Sequence, residues 1–189
     1  MMNRAVFLDR DGTLNYDSKD YVKSVEEFKI FKNTPAAIRK LTDAGFLIIV
    51  ITNQSGISRG YFSEEELERM HQKLRQKVDE AGGRIDAIYY CPHHPDDNCN
   101  CRKPGPENIN KAAKRFDINL ANSYFIGDSK KDIVAGKKAG CKTVLVKTGI
   151  KDYSEKAIQN WEIQPDSIFS DILGAAKMIT GQHSEDGDL

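Results

Sequence analysis

The sequence predicts an α/β fold, a three-layer α/β/α sandwich with a central parallel sheet, on two observations. Short apolar runs rich in β-branched or aromatic residues recur along the chain, and helix-like segments with start signals separate them. The runs are Ala5 to Leu8, Phe46 to Ile51, Ile85 to Tyr90, Tyr124 to Ile126 and Thr143 to Val146, with a sixth expected near Ser167 to Phe169. Thr34-Pro35 opens a helix ending near Gly45, because proline suits a first helical turn. Ser63 followed by Glu66 forms a capping box for a long helix closing at Gly82-Gly83, and Pro106, Asp128 and Asp171 precede further helices. No repeat, low-complexity linker or composition shift interrupts the chain, so residues 1–180 are expected to form a single domain carrying an inserted loop at 91–101. The polar tail 181–189 is expected to be disordered.

Composition narrows the partners. Acidic and basic residues balance at 28 each, which leaves no field favouring nucleic acid or an anionic membrane. The N-terminal apolar run is too short for a signal peptide, and no segment approaches the roughly 18 apolar residues of a membrane span. A cytoplasmic location and a small-molecule partner are therefore expected, with no nucleic acid and no membrane. Three of the four cysteines, Cys91, Cys99 and Cys101, crowd beside histidines, a pattern of metal binding rather than disulfide formation in a reducing compartment.

In open α/β sheets, ligands bind beyond the carboxyl ends of the strands. The first four runs are followed there by LDRDGT, ITNQSG, YCPHHP and GDSKKD. Asp9 and Asp11 are close enough to repel, so a compensating cation or a shared proton is expected there, and a divalent metal would supply the cation. Asp128 and Asp132 add oxygen ligands, and an all-oxygen site of this kind suits Mg²⁺. Lys103, Thr52, Asn53 and Ser55 supply donors for an anion. Carboxylates, Mg²⁺, a lysine and hydroxyls together make a set for phosphoryl transfer.

The segment CPHHPDDNCNCRKP spaces Cys91, a histidine, Cys99 and Cys101 so that three thiolates and one imidazole can enclose tetrahedral Zn²⁺. Four protein ligands leave no open position, so this zinc is structural, and either His93 or His94 could supply the imidazole. Arg102 and Lys103 follow the last ligand directly and would be held by it.

Four stretches in order, LDRDGT, ITNQ, the lysine of CRKP and GDSKKD, resemble the motifs of the haloacid dehalogenase (HAD) superfamily of phosphohydrolases across about residues 4–148. The resemblance implies a Rossmann-like fold. It makes Asp9 the nucleophile that forms an aspartyl phosphate and Asp11 the general acid and base. Thr52 and Lys103 would hold the phosphoryl oxygens. Asp9, Asp11 through its backbone carbonyl, and Asp128 would bind catalytic Mg²⁺, with Asp132 orienting the site. Spacing between the motifs leaves no room for a cap domain.

LDRDGTLN, TNQSGISRG and YYCPHHP with C-x-CRKP further resemble the D-glycero-D-manno-heptose 1,7-bisphosphate phosphatases, a HAD branch shared with histidinol-phosphate phosphatases. That family pattern selects His93 as the zinc ligand. It implies a monomer that removes the 7-phosphate of a sugar bisphosphate on the way to nucleotide-activated heptose for lipopolysaccharide. Substrate contacts are then expected from Asp17, Ser18, Lys19, Asp20 and Tyr21, from Thr52, Asn53, Gln54 and Ser55, and from Arg102 and Lys103. DSKDYV is one residue longer than the family's usual stretch, and the zinc loop is short. Histidinol-phosphate phosphatase is the nearest rival reading; a non-catalytic phospholigand-binding protein is disfavoured by the presence of both Asp9 and Asp11. Outside the motifs, His71 is expected on a solvated helix face, Cys141 as a buried small hydrophobe, and Trp161, Phe169 and Met178 as packing residues.

Overall fold

The structure, a computed structural model, describes residues 2–181. The expected disordered tail therefore lies, from residue 182 onward, outside the described residues. Six strands form one all-parallel sheet: β1 (Ala5–Leu8), β2 (Leu47–Asn53), β3 (Ala87–Cys91), β4 (Tyr124–Gly127), β5 (Lys142–Val146) and β6 (Ser167–Phe169). Their order across the sheet is β3-β2-β1-β4-β5-β6. The helices are α1 (Thr34–Asp43), α2 (Glu64–Asp79), α3 (Glu107–Arg115), α4 (Lys130–Ala139), α5 (Glu155–Gln159) and α6 (Ile172–Ile179).

Alternation within β1 shows why the strands read as unbroken apolar runs. Val6 and Leu8 pack into one layer with α1, α2 and α6, whereas Ala5 and Phe7 pack into the opposite layer with α3 and Ala135 of α4. Both faces are covered, so no position in β1 can be polar without a buried partner. The order in which strands are added reverses at β1. Strands β2 and β3 extend one way, the chain then crosses to β4 on the other side, and a crevice opens at the carboxyl ends of β1 and β4. Residues 9–33, between β1 and α1, hold only isolated bridges, and α2 is the single helix between β2 and β3, so among the described residues no cap domain covers the crevice.

Two local expectations are corrected on α2. Ser63 accepts the Glu66 backbone N–H at 3.2 Å, but Glu66 does not complete the box. Its carboxylate instead accepts the Val25 N–H at 2.6 Å and pairs with Arg69 at 2.8 Å, tying the loop after β1 to the helix. His71 is not solvated. It lies on the buried stripe with Leu67, Met70, Leu74 and Val78, only 2% exposed, because those positions follow the helical period. Burial, followed by the nearby Arg10 charge, depresses its pKa to about 3.

A histidine held neutral in the fold but free to protonate at about 6.5 when unfolded adds stability above that pH and loses it as the pH falls towards 3. Between pH 7 and pH 5, urea denaturation should show wild type losing about 2 kcal/mol more than His71→Leu. Identical losses in the two proteins would place a charged imidazole in the fold.

Candidate active site

The side chain of Lys103 occupies the centre of the crevice, 3% exposed. Its ammonium lies 2.6 Å from Asp9 Oδ1 and 2.7 Å from Asp132 Oδ1, and it donates to the Ile51 carbonyl at 2.8 Å. The main chain at Lys103 is held by Asn53 at the end of β2. The Asn53 amide donates to the Lys103 carbonyl at 3.1 Å and accepts the Lys103 N–H at 3.0 Å, pairing with it as a neighbouring strand would. Asn53 lines the cavity as the sequence suggests, with both ends of its amide engaged by Lys103.

Asp132 is placed by the start of α4. Ser129 caps the helix, and the Asp132 carboxylate returns to accept from the Ser129 N–H at 3.0 Å and hydroxyl at 2.6 Å. Gly127 permits this, because a Cβ there would overlap the Asp132 side chain. Asp9 Oδ1 also accepts the Arg10 N–H at 2.7 Å. Asp9, Asp128 and Asp132 each offer an oxygen within 4.8 Å of the others. Burial, then the Asp132 charge, raises the Asp9 pKa well above the carboxylate range, and the same two causes push Asp128 up to about 7. Burial works against the Lys103 charge, yet Asp132 and Asp9 hold its pKa above the ordinary lysine value. Three buried carboxylates thus face one ammonium, an imbalance that a divalent cation would remove.

The Asp11 carboxylate has different surroundings. β1 ends at Leu8, so Asp11 sits in the turn and its side chain diverges from Asp9. The fully buried Arg10 guanidinium forks onto both Asp11 oxygens at 2.9 Å, and Asn15 and Gln54 each donate at 2.8 Å. Burial opposes ionisation of Asp11, but the Arg10 charge and these hydrogen bonds keep its pKa low. Gln54 donates to Thr52 Oγ1 as well, at 2.8 Å, linking the first and second motifs.

A cavity of about 670 Å³ opens above these groups. It is lined by Thr52, Gln54, Ser55, Arg102, Lys103, Asp17, Ser18, Lys19 and Tyr21, as the sequence suggests. Tyr21 adopts φ +68°, and its hydroxyl lies 3.5 Å from Ser55 Oγ. Asp20 is not brought to the cavity: it is exposed, its N–H donating to Ser18 Oγ at 3.2 Å. Sequence reasoning missed the opposite wall, formed by Ile150, Lys151, Asp152, Ala157 and Trp161. The polar stretch KTGIKDY after β5 was the available signal, since it follows a strand end like the other four. Arg10 and Asn15, which clamp Asp11, were also missed; both are fully buried polar residues beside the first motif.

The cysteine loop assembles as expected. Cys91 lies 3.5 Å from His93 Nδ1 and from Cys99, Cys101 lies 3.2 Å from His93 Nδ1, and the Cys99 and Cys101 sulfurs are 3.5 Å apart. A tetrahedron with Zn–S bonds near 2.3 Å has sulfur–sulfur edges of about 3.8 Å, so these four residues fit Zn²⁺ without rearrangement. Burial, then hydrogen bonding with Cys91 and Cys99, pushes Cys101 up to about 12. His94 is excluded from the cluster by its own work: it caps the turn Pro95–Asp97, its Nδ1 accepting the Asp96 N–H at 3.4 Å while its own backbone N–H donates to Asp97 at 2.8 Å. Asn108 at the start of α3 donates to the Cys101 carbonyl at 3.2 Å and fastens the loop next to Arg102.

A family model described as HAD-hydrolase-like matches residues 100–175. A D-glycero-beta-D-manno-heptose-1,7-bisphosphate 7-phosphatase of Pseudomonas putida is 42% identical over 176 residues, covering 93% of this chain and 99% of the relative. One of Pasteurella multocida is 37% identical, covering 97% of this chain and all of the relative. The crystal structure of D,D-heptose 1,7-bisphosphate phosphatase from B. bronchiseptica, complexed with magnesium and phosphate, superposes with a TM-score of 0.87 at 36% identity. It covers 95% of this chain and 99% of its own. Alike in sequence and fold along nearly their whole length, these proteins set the assignment: the chain belongs to the D-glycero-beta-D-manno-heptose-1,7-bisphosphate 7-phosphatase family of HAD-like hydrolases.

Proposed function

We propose that this chain is a Mg²⁺-dependent phosphatase that removes the 7-phosphate of a D-glycero-D-manno-heptose 1,7-bisphosphate through an aspartyl phosphate. The observation that carries the reading is Lys103 bridging Asp9 and Asp132 beside Asp128 at the switch point of the sheet. The reading includes a cytoplasmic monomer acting on a small molecule, and reduced cysteines serving as zinc ligands support that location.

In this mechanism a carboxylate oxygen of Asp9 attacks phosphorus, and the bond from phosphorus to the sugar oxygen breaks. Lys103 and Thr52 hold the phosphoryl oxygens while Asp11 gives its proton to the departing sugar oxygen. Water then attacks phosphorus, Asp11 takes the water's proton, and phosphate leaves with Asp9 restored. Mg²⁺ held by Asp9, Asp128 and the Asp11 carbonyl would supply charge neutralisation of the phosphoryl group. Arg10, Asn15 and Gln54 aim the Asp11 carboxylate, and a phosphate dianion brought beside it opposes its ionisation, raising its proton affinity once substrate is bound. Arg102, next to Lys103 on the segment fastened by the zinc loop, offers a fork for the second phosphate, with Tyr21 and Ser55 lining the sugar path.

Purified protein should release phosphate from the heptose bisphosphate faster than from histidinol phosphate or a 3′-phosphorylated oligonucleotide, only with Mg²⁺. Asp9→Asn should lower turnover by at least about three orders of magnitude. Equal trace rates on all three substrates would remove the sugar assignment, and unchanged turnover in Asp9→Asn would remove the covalent route. Elemental analysis should find zinc bound, and stripping it with a chelator should lower both the melting temperature and the phosphatase rate, since Lys103 loses its anchor. Full activity in zinc-free protein would end the structural reading of the cysteine loop.

A further inference from the structure

The loop after β5, outside every motif of the first four strand ends, is fastened to the crevice at three points. Thr148 Oγ1 donates to the Gly12 carbonyl at 2.6 Å, Lys151 lies 3.5 Å from Asp17 across the cavity mouth, and the Tyr153 hydroxyl donates to Asp128 Oδ2 at 3.1 Å. The third contact is built around one oxygen. A Cβ at Gly149 would overlap Asp128 Oδ2, and one at Gly12 would come within 2.7 Å of it. Two bare backbones therefore close on that oxygen and leave the tyrosine hydroxyl as its side-chain hydrogen-bond partner. The Tyr153 ring is held independently, packed against a cluster of Ile133, Leu145 and Ile158.

We propose that Tyr153 is a positioning residue for Asp128: it pins Oδ2 against the Gly12 and Gly149 backbones and so presents Oδ1 to the cation bound with Asp9. This rests on the Mg²⁺ reading above. Backbone walls bound the space of a buried carboxylate but do not fix its tilt, and each misdirected orientation must be undone before a cation binds. The hydroxyl removes that freedom in advance. Because its ring packs on β5 and α4, the tyrosine couples the metal aspartate to the loop that walls the cavity.

Tyr153→Phe keeps the ring and deletes only the donor. Isothermal titration of the full-length, zinc-loaded protein with MgCl₂ should show the Kd for Mg²⁺ rising about tenfold, while the melting temperature without Mg²⁺ stays at the wild-type value. The Mg²⁺ concentration needed for half-maximal phosphate release should rise by the same factor. A Kd within twofold of wild type overturns the proposal and leaves the phosphatase reading standing. A fall in metal-free melting temperature with an unchanged Kd also overturns it, by making Tyr153 structural only. If wild type itself binds no Mg²⁺, the metal reading fails and this proposal fails with it.

Discussion

The ammonium of Lys103 is the point on which the site depends. β1 contributes Asp9, α4 contributes Asp132, β2 contributes the Ile51 carbonyl, and the zinc loop delivers the lysine itself. Removing one member of such a buried set strands the others without compensation, typically at a cost of about 3–5 kcal/mol. The arrangement therefore holds four distant segments in register at the same place where it collects negative charge. With Asp128 alongside, the carboxylates outnumber the ammonium, an excess that bound protons or a further cation relieve. Stability and metal demand come from one cluster.

Asp9 and Asp11 illustrate how a single turn yields two chemistries. Both are aspartates separated by one residue, yet burial and Asp132 raise the first while Arg10, Asn15 and Gln54 lower the second. Arg10 lies between them in the chain, and its backbone N–H bonds Asp9 while its guanidinium forks onto Asp11. One residue thereby orients both carboxylates in different directions. Without a cation these surroundings leave the two carboxylates with opposite preferences, Asp9 for its proton and Asp11 for its charge.

The walls of the cavity are loops, and each is secured from outside the chemistry. The cysteine cluster and Asn108 fasten the Arg102–Lys103 segment. Glu66 on α2 holds Val25 in the loop after β1, and Tyr153 and Thr148 attach the loop after β5. With no cap domain over the crevice among the described residues, rigid loop positions are what can distinguish one sugar phosphate from another.

Much of this was legible in the amino-acid sequence, because it depends on local order. Ala5–Leu8 and Ser167–Phe169 have the bounds expected from their apolar runs, and Cys91, Cys99 and Cys101, grouped by their spacing, lie together with His93. The polar residues after successive strands assemble because a parallel sheet brings all its carboxyl ends to one edge. What tertiary structure decided was where each side chain spends its hydrogen bonds. Asn53 turns to the Lys103 backbone, Asp11 to Arg10, and His71 into the core, although each looks like an available polar group in sequence. Tyr153 reaches Asp128 from 25 residues away through a loop that carries no motif. Those choices are non-local: a polar group's partner is set by which segments packing brings within about 3 Å, and composition along one segment contains no record of the others.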